Sequence, residues 1–159
     1  DMGKGIVENL VAMSKKYPNS VVFLQNYGMT IGAALTRGSD VWLNNPRRPL
    51  EASGTSGMKA SMNGVLNCSI LDGWWPEACN DGKNGWQFGD GFESDDDAIL
   101  DKHDTDALYD VIVNKVVPTY YDKHEKWVRM MRESILSTKE PFNVKRMLAE
   151  YNDLMYVKK

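Results

Sequence analysis

The sequence has few of the residues that build metal and disulfide sites. Its 159 residues include two cysteines, Cys68 and Cys79, and two histidines, His103 and His124. The cysteines lack the spacing of a CxxC redox or zinc pair, and the histidines are far apart along the chain. We therefore expect no metal site, structural histidines, and two free thiols in a reducing compartment, which favours the cytoplasm.

The sequence also lacks an excess of one charge and any long hydrophobic run. Its 19 Lys and Arg residues against 22 Asp and Glu residues give a formal net charge of −3. That balance predicts no basic surface for nucleic acid. Apolar runs such as residues 21–24 are far shorter than the roughly 18 residues of a membrane span, and residues 1–5 lack the apolar stretch of a secretory signal. We expect neither nucleic acid nor a membrane as partner, and a start inside a longer chain.

Helical and extended patterns alternate along the first half of the chain. We predict helices over residues 5–17, 29–37 and 55–64, and strands over residues 21–24, 40–43 and 65–71. Residues 21–24 are apolar and β-branched, which is typical of a strand buried on both faces. Strands alternating with helices at this spacing predict an α/β fold, a Rossmann-like parallel sheet with right-handed crossovers.

The second half is predicted to be helical after a loop. Residues 80–91 are rich in Gly, Asn and Asp, and we expect a loop with one short hairpin there. Helices should follow from residues 94–97 onward, with Asp104 capping a segment that Pro118 interrupts. The last helix aligns apolar side chains on one face, which predicts a core face: Val144, Met147, Leu148, Tyr151 and Met155. The expected organisation is an αβ core over residues 1–92 and a helical region over residues 93–159.

Polar, glycine-containing loops follow the predicted strands, at the edge where open parallel sheets bind ligands. In the middle loop, residues 54–57 read Gly-Thr-Ser-Gly and open a helix, so their N–H groups could bind an anion such as a phosphate. The spacing differs from a Walker loop, which has four residues between its glycines. We therefore predict a phosphate site of another kind at the start of this helix.

Lys59 lies in the first turn of the same predicted helix. There the helix dipole and partial burial would disfavour its charged form, and a neutral amine forms the Schiff base that pyridoxal phosphate requires. The alternative is an ordinary solvated lysine. Glu51 is either a surface carboxylate or an acceptor for sugar hydroxyls, and Tyr27 is either packed or in contact with a ligand. Trp74 and Trp75 are either a sugar platform or core residues.

Residues 51–59, which read Glu-Ala-Ser-Gly-Thr-Ser-Gly-Met-Lys, resemble the pyridoxal-phosphate segment of the α-glucan (glycogen, starch and maltodextrin) phosphorylases. The resemblance extends to residues 23–27, 40–49, 71–75, 84–86 and 146–147, and its details are closest to the shorter bacterial and archaeal form. It implies the C-terminal, cofactor-binding portion of a two-domain glycosyltransferase of the GT-B type. The N-terminal domain of the same polypeptide would then be a missing partner.

The resemblance also implies residue roles. Lys59 would carry pyridoxal 5′-phosphate as a Schiff base, the backbone of Thr55, Ser56 and Gly57 would hold its phosphate, and Tyr27 would lie against it. The glucosyl unit would be held by a contiguous loop: Glu51, Ala52, Ser53 and Gly54. The implied reaction is reversible transfer of glucose between an α-1,4-glucan or maltooligosaccharide and inorganic phosphate, giving glucose 1-phosphate. Lys59 and Glu51 are then the candidate catalytic residues.

Two other functions remain open at this stage. A nucleotide-sugar-dependent retaining glucosyltransferase, similar to glycogen or starch synthase, would have a second glutamate eight places after the first, where this chain has Lys59. A carbohydrate-binding module without turnover would be favoured by exposed Trp74 and Trp75. The resemblance also leaves a homo-oligomer open, and we expect the isolated fragment to be inactive.

Overall fold

The computed structural model describes residues 2–157, which form two compact units, one that ends at residue 33 and one that begins at residue 34. The first unit contains α1 (Met2–Lys16), which ends with two lysines at the negative end of the helix dipole. It also contains an extended segment and the beginning of α2 (Met29–Gly38). The apolar residues of α1 lie exposed: Ile6, Val7, Leu10 and Met13.

Residues 21–24 do not form the predicted strand. The segment makes no ladder, and Val22 is 74% exposed. Its apolar, β-branched residues favour an extended backbone, but a strand buried on both faces also needs a hydrogen-bonded neighbour. Among residues 2–157, the sheet consists of three later strands only.

The second unit is built on a parallel sheet, which confirms the α/β prediction. Its strands are β1 (Val41–Asn44), β2 (Leu66–Ile70) and β3 (Gly85–Phe88), in the spatial order β1-β2-β3. Each pair is parallel, and every residue of the central strand β2 is buried. The connections carry α3 (Thr55–Met62) and the short α4 (Trp75–Ala78).

Strand β3 replaces the hairpin that we predicted within residues 80–91. Trp86 and Phe88 are buried, and Gly85 is required because a Cβ there would lie 2.5 Å from the Asn67 carbonyl oxygen. The strand was missed because it is only four residues long and turn-forming residues flank it on both sides.

Helices complete the second unit: α5 (Asp97–Val111), a π-helical segment (Ile112–Val116), α6 (Val117–Asp122), α7 (His124–Thr138), α8 (Val144–Tyr151) and a second π-helical segment (Asn152–Tyr156). Asp96, and not Asp104, caps α5, since Asp104 lies inside that helix. Pro118 is the second residue of α6, which continues directly from the π-helical segment, so the proline does not interrupt the helix as predicted.

The core lies between the sheet and the helices α5 to α7. Its buried members are Leu66, Cys68, Ile70, Trp86, Phe88, Val111, Val116, Trp127 and Met130. The predicted core face of the last helix is wrong, because its apolar residues are exposed, Val144 by 63%. The periodicity identified an amphipathic helix, but nothing in the described part of the chain covers its apolar face. The boundary at residue 92 stays a prediction.

No helix within residues 2–157 combines the length and the hydrophobicity needed to cross a membrane.

Candidate functional site

The candidate site lies at the carboxyl edge of the parallel sheet. Strand β1 ends at Asn44, which pairs with Ser69 near the end of β2. The chain leaves β1 into residues 45–54 and leaves β2 into residues 71–74, so both loops emerge from the same edge. The first loop leads directly into α3.

The loop of Glu51, Ala52, Ser53 and Gly54 is here called the glucosyl loop, after the role that the resemblance implies for it. The turn that follows β2 holds this loop in place. The Glu51 N–H donates a hydrogen bond of 2.9 Å to Oδ2 of Asp72. The Trp74 N–H donates one of 2.8 Å to the Ser53 carbonyl oxygen. The loop that precedes α3 therefore has a defined backbone path.

Helix α3 begins without a side-chain cap. Gly54 is in the left-handed conformation at its N-terminus, and no side chain accepts from its first N–H groups. The Gly57 N–H donates to the Gly54 carbonyl oxygen at 3.1 Å. Thr55 and Ser56 supply the two preceding amide groups, for which an α-helix has no internal acceptor. This helix start has the chemistry of an anion site.

Lys59 is the fifth residue of α3, so it lies one turn beyond Thr55 on the same side of the helix. The sequence placed it in the first turn and partly buried, whereas the structure shows it exposed. Asn67 on β2 holds this short helix against the sheet. Its Nδ2 donates to the Gly57 carbonyl oxygen at 3.1 Å and to Ser61 Oγ at 2.9 Å. The amine and the uncapped helix start thus belong to one rigid element.

Trp74 and Trp75 are buried side chains, 4% and 1% exposed, and form no exposed platform. The Trp74 indole packs against Gly54 and Gly57 and meets the Phe142 ring edge-on at 5.1 Å between centroids. Trp74 therefore supports the glucosyl loop and the start of α3 from inside, while the Trp75 ring packs against Gly85 of β3. This removes the observation that would have favoured a binding module.

Tyr27 belongs to the first unit, where its side chain is exposed and its hydroxyl lies close to Gly32. Its contact with a cofactor stays a prediction.

Two residues that the sequence did not single out hold the connection between β1 and α3. One is Asp72. The other is Arg47, whose Nε and Nη2 donate to the two Asp101 carboxylate oxygens at 2.8 and 2.7 Å, while Nη1 donates to Asp97 at 2.5 Å. These hydrogen bonds raise the pKa of Arg47 and lower the pKa of Asp101. Both roles depend on contacts between residues far apart in sequence, so no local pattern indicated them.

The two thiols are free. Burial raises the pKa of both Cys68 and Cys79 to about 12, with a smaller contribution from the nearby carboxylate of Asp81. Neither thiol is an activated nucleophile. Within residues 2–157, no three His, Cys, Asp or Glu side chains come together as a metal site.

No family model matches the chain. It is 47% identical to a maltodextrin phosphorylase of Thermococcus litoralis, over 99% of this chain and 19% of that protein. It is 45% identical to a glycogen phosphorylase of Aquifex aeolicus (98% of this chain, 23% of that protein) and 39% identical to one of Mycobacterium bovis (98% and 19%). The chain thus spans about a fifth of the length of these relatives. Almost its whole length matches a segment of the glycogen and maltodextrin phosphorylases.

Proposed function

We propose that this chain is the cofactor-binding, C-terminal portion of an α-glucan phosphorylase of the GT-B type. The whole polypeptide would transfer glucose reversibly between an α-1,4-glucan and inorganic phosphate, giving glucose 1-phosphate. The observation that carries the proposal is the glucosyl loop leading into the uncapped start of α3, with Lys59 one turn further on. This arrangement lies within a segment that is 39–47% identical to named phosphorylases.

The residues at the start of α3 fit pyridoxal 5′-phosphate. The group needs a primary amine for its aldehyde and hydrogen-bond donors for its phosphate. Lys59 supplies an exposed amine, and the amide groups of Thr55 and Ser56 lie at the positive end of the helix dipole. Gly57 would contribute by letting the helix pack closely against Asn67 and Trp74. When bound, the cofactor would supply a phosphate group that exchanges a proton with the substrate phosphate.

The chain's own residues would bind and orient the sugar. The glucosyl loop offers a carboxylate at Glu51, a hydroxyl at Ser53 and backbone groups at Ala52 and Gly54. Its path is already fixed by the turn after β2, so these groups need little reorganisation when a sugar binds. Tyr27 would lie against the cofactor, as the resemblance implies.

The competing functions have less support. A synthase-like glucosyltransferase would need no lysine at position 59, and a binding module has lost the exposed tryptophans that favoured it. A cytoplasmic location accompanies the proposal, because both thiols are free.

The test combines activity with covalent mapping in the full polypeptide that carries this chain. We expect glucose 1-phosphate to form from a maltooligosaccharide and phosphate, and borohydride reduction to fix the cofactor on Lys59. Lys59→Arg should abolish both results. Lys83→Arg, a control at the opposite edge of the sheet, should change neither. Labelling of a different lysine, or activity that survives Lys59→Arg, would contradict the proposal.

A further inference from the structure

The turn of Asp72, Gly73 and Trp74 sets the position of the glucosyl loop through three separate contacts. It begins two residues after the last residue of β2, Ile70. Because β2 is the central strand and all of its residues are buried, the turn is anchored to the most buried strand of the sheet. Whatever the turn contacts is therefore held relative to the core and not merely to another surface loop.

Asp72 makes the contact closest to a ligand-binding side chain. Asp72 is only 8% exposed, and its Oδ2 accepts a hydrogen bond from the Glu51 N–H at 2.9 Å. A hydrogen bond from a backbone amide to a carboxylate is charge-assisted and stronger than a bond between neutral groups. Holding the Glu51 N–H fixes the backbone nitrogen next to the Cα atom that carries the Glu51 side chain.

The other two contacts also join the turn to the glucosyl loop. Trp74 donates its N–H to the Ser53 carbonyl oxygen at 2.8 Å. Gly73 has a positive φ of 58°, and a Cβ there would lie 2.6 Å from that oxygen and 3.0 Å from Glu51 Cγ. The turn and the loop therefore approach each other as closely as backbone atoms allow, and a glycine is required between them.

We infer that Asp72 is a positioning residue for the sugar site: it acts through the Glu51 amide and fixes where the Glu51 carboxylate meets the glucosyl unit. The inference rests on the proposed function. Its physical basis is that a displacement of about 1 Å in a positioned group costs on the order of a hundredfold in rate. Asp72 is assigned no contact with substrate or cofactor.

The test uses Asp72→Ala and Asp72→Asn in the full polypeptide. Asp72→Ala removes the acceptor, and we expect kcat/KM for phosphorolysis to fall by about tenfold or more. Asp72→Asn keeps an amide oxygen that accepts the same N–H, so it should recover most of that loss. Hydrogen–deuterium exchange gives a readout independent of activity: the peptide covering residues 50–54 should exchange faster in Asp72→Ala, while the peptide of β2 stays protected.

The matched control is Asp81→Ala. Asp81 also accepts a backbone N–H through its carboxylate, that of Gln87 at 3.0 Å, but it lies in the connection that enters β3. We expect its removal to speed exchange near Gln87 and to leave kcat/KM unchanged. Equal kinetic losses in Asp72→Ala and Asp81→Ala would overturn the inference, as would unchanged exchange at residues 50–54.

The outcomes separate the inference from the proposed function. If the wild-type polypeptide forms no glucose 1-phosphate, the proposed function is wrong and the positioning role in catalysis falls with it, even where exchange at residues 50–54 responds. If the wild type is active and Asp72→Ala retains full kcat/KM, the inference alone is wrong.

Discussion

The loop between β1 and α3 is held at two residues, Arg47 and Glu51, by acidic side chains. Arg47 forms a two-pronged pair with Asp101 and reaches Asp97, both on α5, and the Glu51 amide is held by Asp72. Isolated surface ion pairs contribute little to stability, but a bidentate guanidinium also fixes geometry. The loop is therefore ordered at both ends by interactions whose main effect is on position.

The first residue-scale prediction concerns Glu51. If its carboxylate binds the sugar, Glu51→Gln in the full polypeptide loses a charge-assisted hydrogen bond worth on the order of 2 kcal/mol, which lowers kcat/KM by about thirtyfold. Steady-state kinetics with a maltooligosaccharide and phosphate measure the change. Glu133→Gln on α7 is the control and should match the wild type. An unchanged kcat/KM in Glu51→Gln would show that Glu51 does not bind the sugar.

The second residue-scale prediction concerns alkaline stability. The folded chain holds the Cys68 and Cys79 protons up to a pKa of about 12, against 9.0 for an ordinary thiol. The raised pKa contributes stability that is present below pH 9 and is lost as the pH rises towards 12, because only the unfolded chain ionises in that window. From pH 9 to 11, the free energy of unfolding measured with urea should fall more steeply for the wild type than for a Cys68→Ala, Cys79→Ala variant. Parallel pH profiles would contradict the pKa assignment.

Residues with local signatures were predictable from the sequence, and residues with only distant partners were not. The Gly-Thr-Ser-Gly run predicts a helix start, and α3 begins at Thr55 as expected. The roles of Asp72 and Arg47 depend on partners 21 and 54 positions away. The exposure of Lys59 also escaped the sequence, because burial is a property of the packed fold.

At the scale of elements, helices were easier to predict from the sequence than short strands. The helices with clear periodicity were confirmed, including α1, α2 and α8. The errors in strand assignment fall on four-residue segments: β3 lies among turn residues, and residues 21–24 have the composition of a strand without a partner. A short apolar run does not specify its own pairing, because the neighbouring strand supplies half of the hydrogen bonds.

The cap of α5 gives a prediction at this scale. Asp96 accepts from the N–H groups of Ala98 at 2.8 Å and Ile99 at 3.4 Å. Asp96→Ala should lower the free energy of unfolding by about 1 kcal/mol, as loss of an N-cap usually does. Asp95→Ala removes the same charge one position earlier and serves as the control, with an expected change within about 0.5 kcal/mol. Urea denaturation measures both, and equal losses would show that charge and not capping matters.

At the scale of the whole molecule, the proposed function assigns this chain some parts of an active site but not all of them. It contributes an amine, an anion-binding helix start and a sugar-binding loop in the proposed function, yet it spans about a fifth of the length of its relatives. The apolar faces of α1 and α8 are exposed in this chain. Large exposed apolar surfaces are typical of interfaces, so the isolated chain is expected to self-associate.

The final prediction is that this 159-residue chain alone has no phosphorolysis activity. Catalysis of glucosyl transfer needs the reactants held in the correct orientation to one another. It also needs the charge of the transition state to be stabilised in a site closed to water. The chain offers one edge of a sheet, where the proposed amine is exposed. Glucose 1-phosphate and a maltooligosaccharide acceptor should therefore release phosphate with the full polypeptide and not with the isolated chain, at equal molar concentration. Comparable rates per molecule would mean that these residues already form a complete active site, and that the rest of the polypeptide serves some purpose other than catalysis.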